Sequence, residues 1–329
     1  MTENADTHPF DGLTPDVILS AVDQQGWTTS GHVLALNSYE NRVYQVGLEG
    51  REPVIAKFYR PGRWSNEQIL EEHTFTAELA GHGLPVIAPL ADAQQRTLFQ
   101  HGEFRFSLFP RRGGHAPPLD DDRCLETLGR TLAQLHNVGA VRAFTCRPTL
   151  TVAGFGHEPA AFVGEHFVPT ELLPAWQSLT RDLLDMVTER FASGRPATLL
   201  RVHGDCHPGN ILWRDQAPHF IDLDDARMAP AMQDLWMMLS GERDQQQQQL
   251  GVILDGYTAF RDFDSAELRL VEPLRTLRML HFAGWLGQRW DDPAFPRAFP
   301  WFNSPRYWGE FILDLRLQMA ALQEPPLRY

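Results

Sequence analysis

Residues 203–213 read HGDCHPGNILW. Two histidines, an aspartate, a cysteine and an asparagine crowd into eight positions and run straight into an apolar Ile-Leu-Trp. Such a cluster is a metal site, a capped turn or a catalytic loop. His203, Asp205 and His207 alternate, so on a strand they would share one face as ligands for zinc or non-haem iron. Pro208-Gly209 breaks a strand at that point, however, and no distal ligand of the facial-triad kind accompanies them. A core histidine at His203 with Asp205 capping a turn is the plainer alternative.

The residues just beyond the cluster favour the catalytic loop. Asn210 stands five residues after Asp205, the D-x-x-x-x-N spacing with which a kinase loop sets a base at the nucleophile and an amide oxygen on Mg²⁺. NILW and HFIDL then read as a β-hairpin that carries Asp222 to a strand end, where a metal-binding carboxylate is wanted. Phosphoryl transfer develops dispersed negative charge, so its catalysis is mostly positioning and neutralisation. A chain of net charge −13 must import the positive charge. Mg²⁺ on Asn210 and Asp222 supplies most of it, and Lys57, closing VIAK at 54–57, supplies the rest by reaching the α/β-phosphates of ATP. Lys57 needs a partner. Glu72, fifteen residues on, is expected to pair with it, with Glu71 as competitor.

Composition narrows the classes. The chain has 329 residues, enough for one large domain or two of roughly 150. Its 43% hydrophobic and 22% charged residues are ordinary for a folded protein. With 42 acidic against 29 basic residues, the overall field repels nucleic acid and anionic membranes, so neither is expected as a partner. Cys124, Cys146 and Cys206 are odd in number and far apart, which argues against a disulfide framework and for the cytoplasm. MTENADTHPF has no apolar core and no run reaches the length of a bilayer span, so the chain is expected to be neither exported nor anchored. A monomer is expected.

The pattern along the chain predicts an α+β fold. A short helix over 13–26 precedes the β-type runs HVLAL, RVYQV and PVIAKFY, which read as a three-strand antiparallel meander. A helix over 65–83 starts at Ser65, and VIAPL and FRFSLFP read as two more strands. RRGGHAPP is a loop. These segments make residues 1–110 a small nucleotide-binding lobe with one key helix. Residues 111–329 form a larger, mainly helical catalytic and substrate-binding lobe, with helices at 124–136, 172–191, 233–262, 265–289 and 305–322. QQQQQ at 245–249 suits an exposed helix face, and no long repeat is present.

HGDCHPGNIL followed by FIDLDDA resembles the signature of the aminoglycoside phosphotransferase and choline kinase superfamily, whose fold is bilobal and protein-kinase-like. In that superfamily the helix glutamate stands eleven residues before the glycine of a G-V-P-type turn; Glu72 stands eleven before Gly83-Leu84-Pro85, which selects it over Glu71. LNSYENRVYQV, VIAKFYRPGRW, ILEEH, FIDLDDARMAPAMQDLW, RWDDPAFPRAFPW and LQEPPL are similar to the bacterial stress response kinase A family. That resemblance implies a cytoplasmic kinase using ATP and Mg²⁺ on Ser or Thr hydroxyls of proteins, in envelope and oxidative stress. The alternative acceptor is a small amino alcohol, sugar or aminoglycoside.

Carried over by residue, the resemblance makes Asp205 and Asp222 catalytic, with Asp205 the proton-accepting base and Asn210 and Asp222 on Mg²⁺. Lys57 and Glu72 set the phosphates, and Ser38 lies in the phosphate-covering loop. NSYEN has no glycine, so the Ser38 hydroxyl or the loop amides take over from a Gly-rich loop. Adenine is expected against the hinge at Phe109, Pro110 and Arg111. Asp224 is either a further metal carboxylate or an acceptor for local amides, and Asp234 anchors the catalytic loop. Carboxylates beside Cys206 raise its thiol pKa and oppose a redox role. The aromatic stretch 289–308 is a packed loop or a wall of the acceptor groove.

Overall fold

The computed structural model describes residues 8–329; the first seven residues of the expected 1–110 lobe lie outside them. In chain order come α1 (Pro15–Asp23), β1 (Thr29–Ala35), β2 (Arg42–Leu48), β3 (Arg51–Phe58), α2 (Asn66–Gly81), β4 (Phe99–His101), β5 (Phe104–Pro110) and α3 (Asp122–Gly139). Next are α4 (Glu158–His166), α5 (Leu173–Ala192), β6 (Leu200–Val202), β7 (Ile211–Arg214), β8 (Ala217–Phe220) and β9 (Arg227–Ala229). The chain finishes with α6 (Met232–Leu235), α7 (Arg243–Thr258), α8 (Val271–Gln288), α9 (Ala294–Ala298) and α10 (Pro305–Gln323). Two compact units result: residues to Pro117 with 144–147 and 208–226, and residues 118–143, 148–207 and 227–329.

In the first unit five strands form an antiparallel sheet in the order β1-β2-β3-β5-β4. The meander is present as expected. Val54, Ala56 and Phe58 alternate along β3 and enter a core with Ile18, Ala21 and Val22 of α1. Phe58 stacks on Phe106 at 5.2 Å, and truncating such a ring costs about 3–5 kcal/mol. The same alternation sends Lys57 to the other face, where it is only 7% exposed. Ser65 and Gln68 close a capping box on α2, satisfying two of its first amides.

VIAPL is not a strand. Pro85 and Pro89 lack the amides a ladder needs, so Val86 makes a single parallel bridge to Phe220 and the strand forms instead at β4. β7 and β8 pair as the expected hairpin, with Ile211 opposite Phe220.

The second unit is helical, with β6 and β9 paired antiparallel inside it; β9 carries no signal beyond three residues. α3 and α7 cross closely because each presents a glycine. A Cβ on Gly129 would stand 2.0 Å from the Ile253 carbonyl oxygen, and one on Gly256 would stand 2.2 Å from that of Glu126. Two expected helices are broken. The 233–262 helix divides into α6, a short 3₁₀ turn and α7, with Gly241 at φ 77° in the gap. The 265–289 helix begins as a 3₁₀ segment, Ser265–Leu270, because α8 holds Pro273 in its first turn, where its missing amide is harmless. The 289–308 stretch includes α9 and packs inward through Phe295, Phe302 and Trp308, all fully buried. No helix among the described residues is long and apolar enough to cross a membrane.

Candidate active site

Asp205 stands three residues past the end of β6. His203 is fully buried, and its backbone N–H donates to Asp234 Oδ2 at 2.8 Å while that of Gly204 donates to Oδ1 at 2.9 Å. Gly204 has φ 87°, a conformation that side chains disfavour, so the chain turns out to present Asp205. Gln233 Nε2 donates to the Gly204 carbonyl at 2.9 Å. Asp234 is thus the anchor that the sequence suggests. His136 Nε2 lies 3.0 Å from Asp234 Oδ2, and its Nδ1 lies 2.9 Å from the Tyr257 hydroxyl. Burial alone would raise the Asp234 pKa; bonding from His136, with His203 and the Gly204 amide, holds it below the usual carboxylate value.

The Arg278 guanidinium, from α8, donates to Asp205 Oδ1, and His207 Nε2 lies 3.6 Å from Oδ2. Arg278 has no signature in the sequence; it sits 73 residues from its partner. Among the described residues no three His, Cys, Asp or Glu side chains form a metal cage, so the alternating His203, Asp205 and His207 do not make a zinc-type site. The reason is local: 203–207 is irregular backbone and Pro208–Asn210 a 3₁₀ turn, so the period-two facing of a strand is lost. Cys206 is fully buried, and burial, then Asp234 and Asp205, push its thiol well above the usual range.

In the first unit the β7–β8 hairpin brings Asn210 and Asp222 to its open end, where the Ile221 N–H donates to the Asn210 carbonyl at 3.0 Å. Asp222 lies in the left-handed region, φ 58° and ψ 60°, a strained conformation of the kind that clusters at working sites. Lys57 Nζ bonds Asp222 Oδ1 at 2.6 Å and stands 3.3 Å from Asp224 Oδ1. Burial disfavours the ammonium, but Asp222 and then Asp224 outweigh it and hold the Lys57 pKa above its ordinary value.

The expected Lys57–Glu72 pair is therefore not made. Glu72 is buried and accepts from the Thr76 hydroxyl at 2.8 Å, and burial raises its pKa despite Lys57 nearby. Two carboxylates reach Lys57 first from a turn that the sequence separates from it by 165 residues. Glu71 points elsewhere, accepting the backbone N–H groups of Thr145, Cys146 and Arg147.

Asp224 is 3% exposed and accepts from Arg63, from Asn41 Nδ2 at 3.2 Å and from Lys57. Burial would raise its pKa, yet Lys57 and Arg63 drive it down. Arg63 also grips both oxygens of Asp225 at 2.9 Å. Asn41 belongs to the glycine-free loop, which side chains tie down: Asn41 Oδ1 accepts the Arg60 N–H at 3.1 Å, and Glu40 pairs with Arg60 Nε at 3.2 Å. The Ser38 hydroxyl donates to the Asn41 carbonyl at 3.2 Å. Phe109, the penultimate residue of β5, lies opposite Ile55 with its ring edge-on to His73, and Arg111 donates to Gln45 at 2.9 Å. Asn41, Arg63 and Arg147 escaped the sequence reading, though RPGRW places two arginines directly after the lysine strand.

A carboxylate and an amide oxygen at one hairpin end are hard oxygen donors of the kind Mg²⁺ takes, so the chemistry of Asn210 and Asp222 fits that ion.

Comparison with known proteins agrees with the fold. Residues 32–271 match the phosphotransferase enzyme family, APH. The chain is 43% identical over 326 residues to stress response kinase A of Escherichia coli strain K12, covering 99% of this chain and 98% of the relative. It is 44% identical over 329 residues to the serine/threonine protein kinase RdoA of Salmonella typhimurium strain LT2, covering 100% and 98%. The solved amicoumacin kinase hAmiN, in complex with AMP-PNP, Ca²⁺ and Ami, superimposes with a TM-score of 0.73 at 18% identity over 94% of each chain. The chain therefore belongs to the APH phosphotransferase enzyme family, kinases with a protein-kinase-like α+β fold.

Proposed function

We propose that this phosphotransferase moves the γ-phosphoryl group of ATP to Ser or Thr hydroxyls of proteins, using Mg²⁺, in a cytoplasmic stress response. The observation that carries the chemistry is the turn 222–225, whose carboxylates meet Lys57 and Arg63 beside Asn210. The protein acceptor is supported by the name of the serine/threonine protein kinase RdoA, 44% identical, and the stress response by that of stress response kinase A, 43% identical. The net charge of −13 disfavours nucleic acid and anionic membranes as partners, and a monomer suffices for every role assigned.

Asn210 and Asp222 would hold the metal, which would supply positive charge against the phosphate oxygens. Lys57 leaves its carboxylate partners for the phosphates, an exchange of one anion for another that keeps the ammonium paired. Glu72, at close range, keeps the field around Lys57 negative. Ser38 and the amides of its tied-down loop cover the phosphates, and the end of β5 at Phe109 and Arg111 meets the adenine. Asp205 orients the acceptor hydroxyl and takes its proton as the oxygen attacks phosphorus and the ADP oxygen leaves.

A small-molecule acceptor is the second reading, favoured by the likeness of fold to the amicoumacin kinase. Both are tested by incubating the protein and its Asp205→Asn variant with Mg²⁺, γ-labelled ATP, a basic test protein, a cytoplasmic extract, amino alcohols and aminoglycosides. Label on protein Ser or Thr that falls by roughly 10²–10⁴-fold in the variant supports the first reading. Label on small molecules alone supports the second, and undiminished turnover in the variant defeats Asp205 as base.

A further inference from the structure

Glu71 and Glu72 are adjacent on α2, yet a helix turns successive side chains about 100° apart, and the two glutamates serve different neighbours. Glu71 Oε1 accepts the Thr145 N–H at 2.6 Å and its hydroxyl at 2.8 Å, while Oε2 accepts the N–H of Cys146 at 2.8 Å and of Arg147 at 2.7 Å. Three consecutive amides on one carboxylate fix a short irregular segment that has no helix or strand of its own. Gln68 Nε2 adds a bond to the Cys146 carbonyl at 3.0 Å, and Phe144 meets Phe75 edge-on at 5.4 Å.

That segment delivers one side chain. Arg147 is 5% exposed, with its guanidinium 4.3 Å from the Trp64 ring. Its Nε donates to the Ala226 carbonyl at 2.8 Å, another nitrogen donates to the Asp224 carbonyl, and a third reaches the Gln68 carbonyl at 3.3 Å. The first two acceptors bracket the end of the carboxylate turn. Its carboxylates are committed to Lys57, Arg63 and Asn41, whereas two of its backbone carbonyls, those of Asp224 and Ala226, accept from Arg147.

We propose that Glu71 and Arg147 are positioning residues for the turn 222–226, Glu71 fixing Arg147 and Arg147 fixing the backbone from which Asp222 and Asp224 project. This rests on the role given above to Asp222. Neither residue touches substrate. Burial works against the Glu71 carboxylate, but the donated amides of 145–147 hold its pKa below the usual value, as a permanent anion in this role requires. Glu71 has no bond to the turn; its bonds reach residues 223–226 through the segment that carries Arg147.

The test compares wild type, Glu71→Gln, Arg147→Ala, the core variant Ile18→Ala and Asp222→Asn as full chains. Glutamine offers one oxygen where two are used and turns an amide donor toward donors. Hydrogen exchange of the metal-free proteins is read at 223–226, and Mn²⁺ binding with AMP-PNP is read by electron paramagnetic resonance beside the Mg²⁺ dependence of turnover. The expected result is faster exchange at 223–226 in Glu71→Gln and Arg147→Ala, with metal affinity weakened roughly tenfold or more, as for other groups that orient a metal ligand. Ile18→Ala should lose melting temperature and leave both readouts in place. Wild-type exchange and Mn²⁺ affinity in Glu71→Gln, or equal changes in Ile18→Ala, would overturn the proposal even where Arg147→Ala fails to fold. Asp222→Asn with undiminished metal affinity and turnover would defeat the assignment of Asp222 itself, an outcome separate from failure of the relay.

Discussion

Lys57 meets Asp222 at 2.6 Å and Asp224 at 3.3 Å, and Glu72 remains outside this contact, bonded to Thr76. The lysine therefore depends on the carboxylate turn more than on the helix. Lys57→Met is expected to lower phosphotransfer by roughly 10²–10³-fold, the loss typical of one preorganised charge donor. Glu72→Gln, which keeps an acceptor for Thr76, should cost less than about tenfold. Initial rates at saturating ATP decide; equal losses in the two variants would return Glu72 to the position of direct partner.

Asp234 is fully buried and accepts from two backbone amides and His136. Asp234→Asn puts an amide donor among donors and removes a buried charge from its partners, which should cost about 3 kcal/mol. Its folded pKa is depressed, so its contribution to stability is present above the unfolded pKa and is lost as pH falls through the folded one. Denaturant titration from pH 7 down to acid should show the wild-type advantage over the variant shrinking only at the acid end. An advantage unchanged by acid would remove the charge from the account.

The parts legible in the sequence are those written locally. The alternation Val54-Ala56-Phe58 marks β3, and Ser65 marks the start of α2. The β7–β8 hairpin is visible because two apolar runs flank a polar turn. What escaped depends on distance along the chain. Arg278 finds Asp205 across 73 residues and Arg147 finds Ala226 across 79, and a single arginine carries no period or cap to mark it. VIAPL misled for a different reason: its apolar residues fit a strand, but Pro89 within it and Pro85 just before it remove amides that a ladder needs.

The three cysteines should separate cleanly by reactivity. Cys146 is exposed, whereas Cys124 and Cys206 are buried. Burial, with Asp121 and Asp120, pushes the Cys124 thiol up to about 12, and burial pushes that of Cys206 higher than the usual range as well. A disulfide reagent at pH 8 should titrate one thiol in the native protein and three in denaturant. Fast labelling of Cys206 in the native state would contradict its burial beside Asp205.

Glu267 is 4% exposed and accepts the Met232 N–H at 2.9 Å, at the start of the helix that carries Asp234. Burial, and then Asp264, raise its pKa to about 7, against the Met232 amide, Arg261 and Arg269. A carboxyl that holds its proton more tightly folded than unfolded loses stability as pH rises from the unfolded pKa to the folded one. The penalty grows between about pH 4.5 and 7 and is constant above, at most on the order of 3 kcal/mol. Glu267→Gln keeps a carbonyl for the Met232 amide and has no charge to bury. It should match wild type near pH 5 and be the more stable protein at pH 8, measured by chemical denaturation at both pH values. A variant less stable than wild type at pH 8 would mean that the ionised carboxylate is satisfied in place, and that the Met232 bond needs its charge.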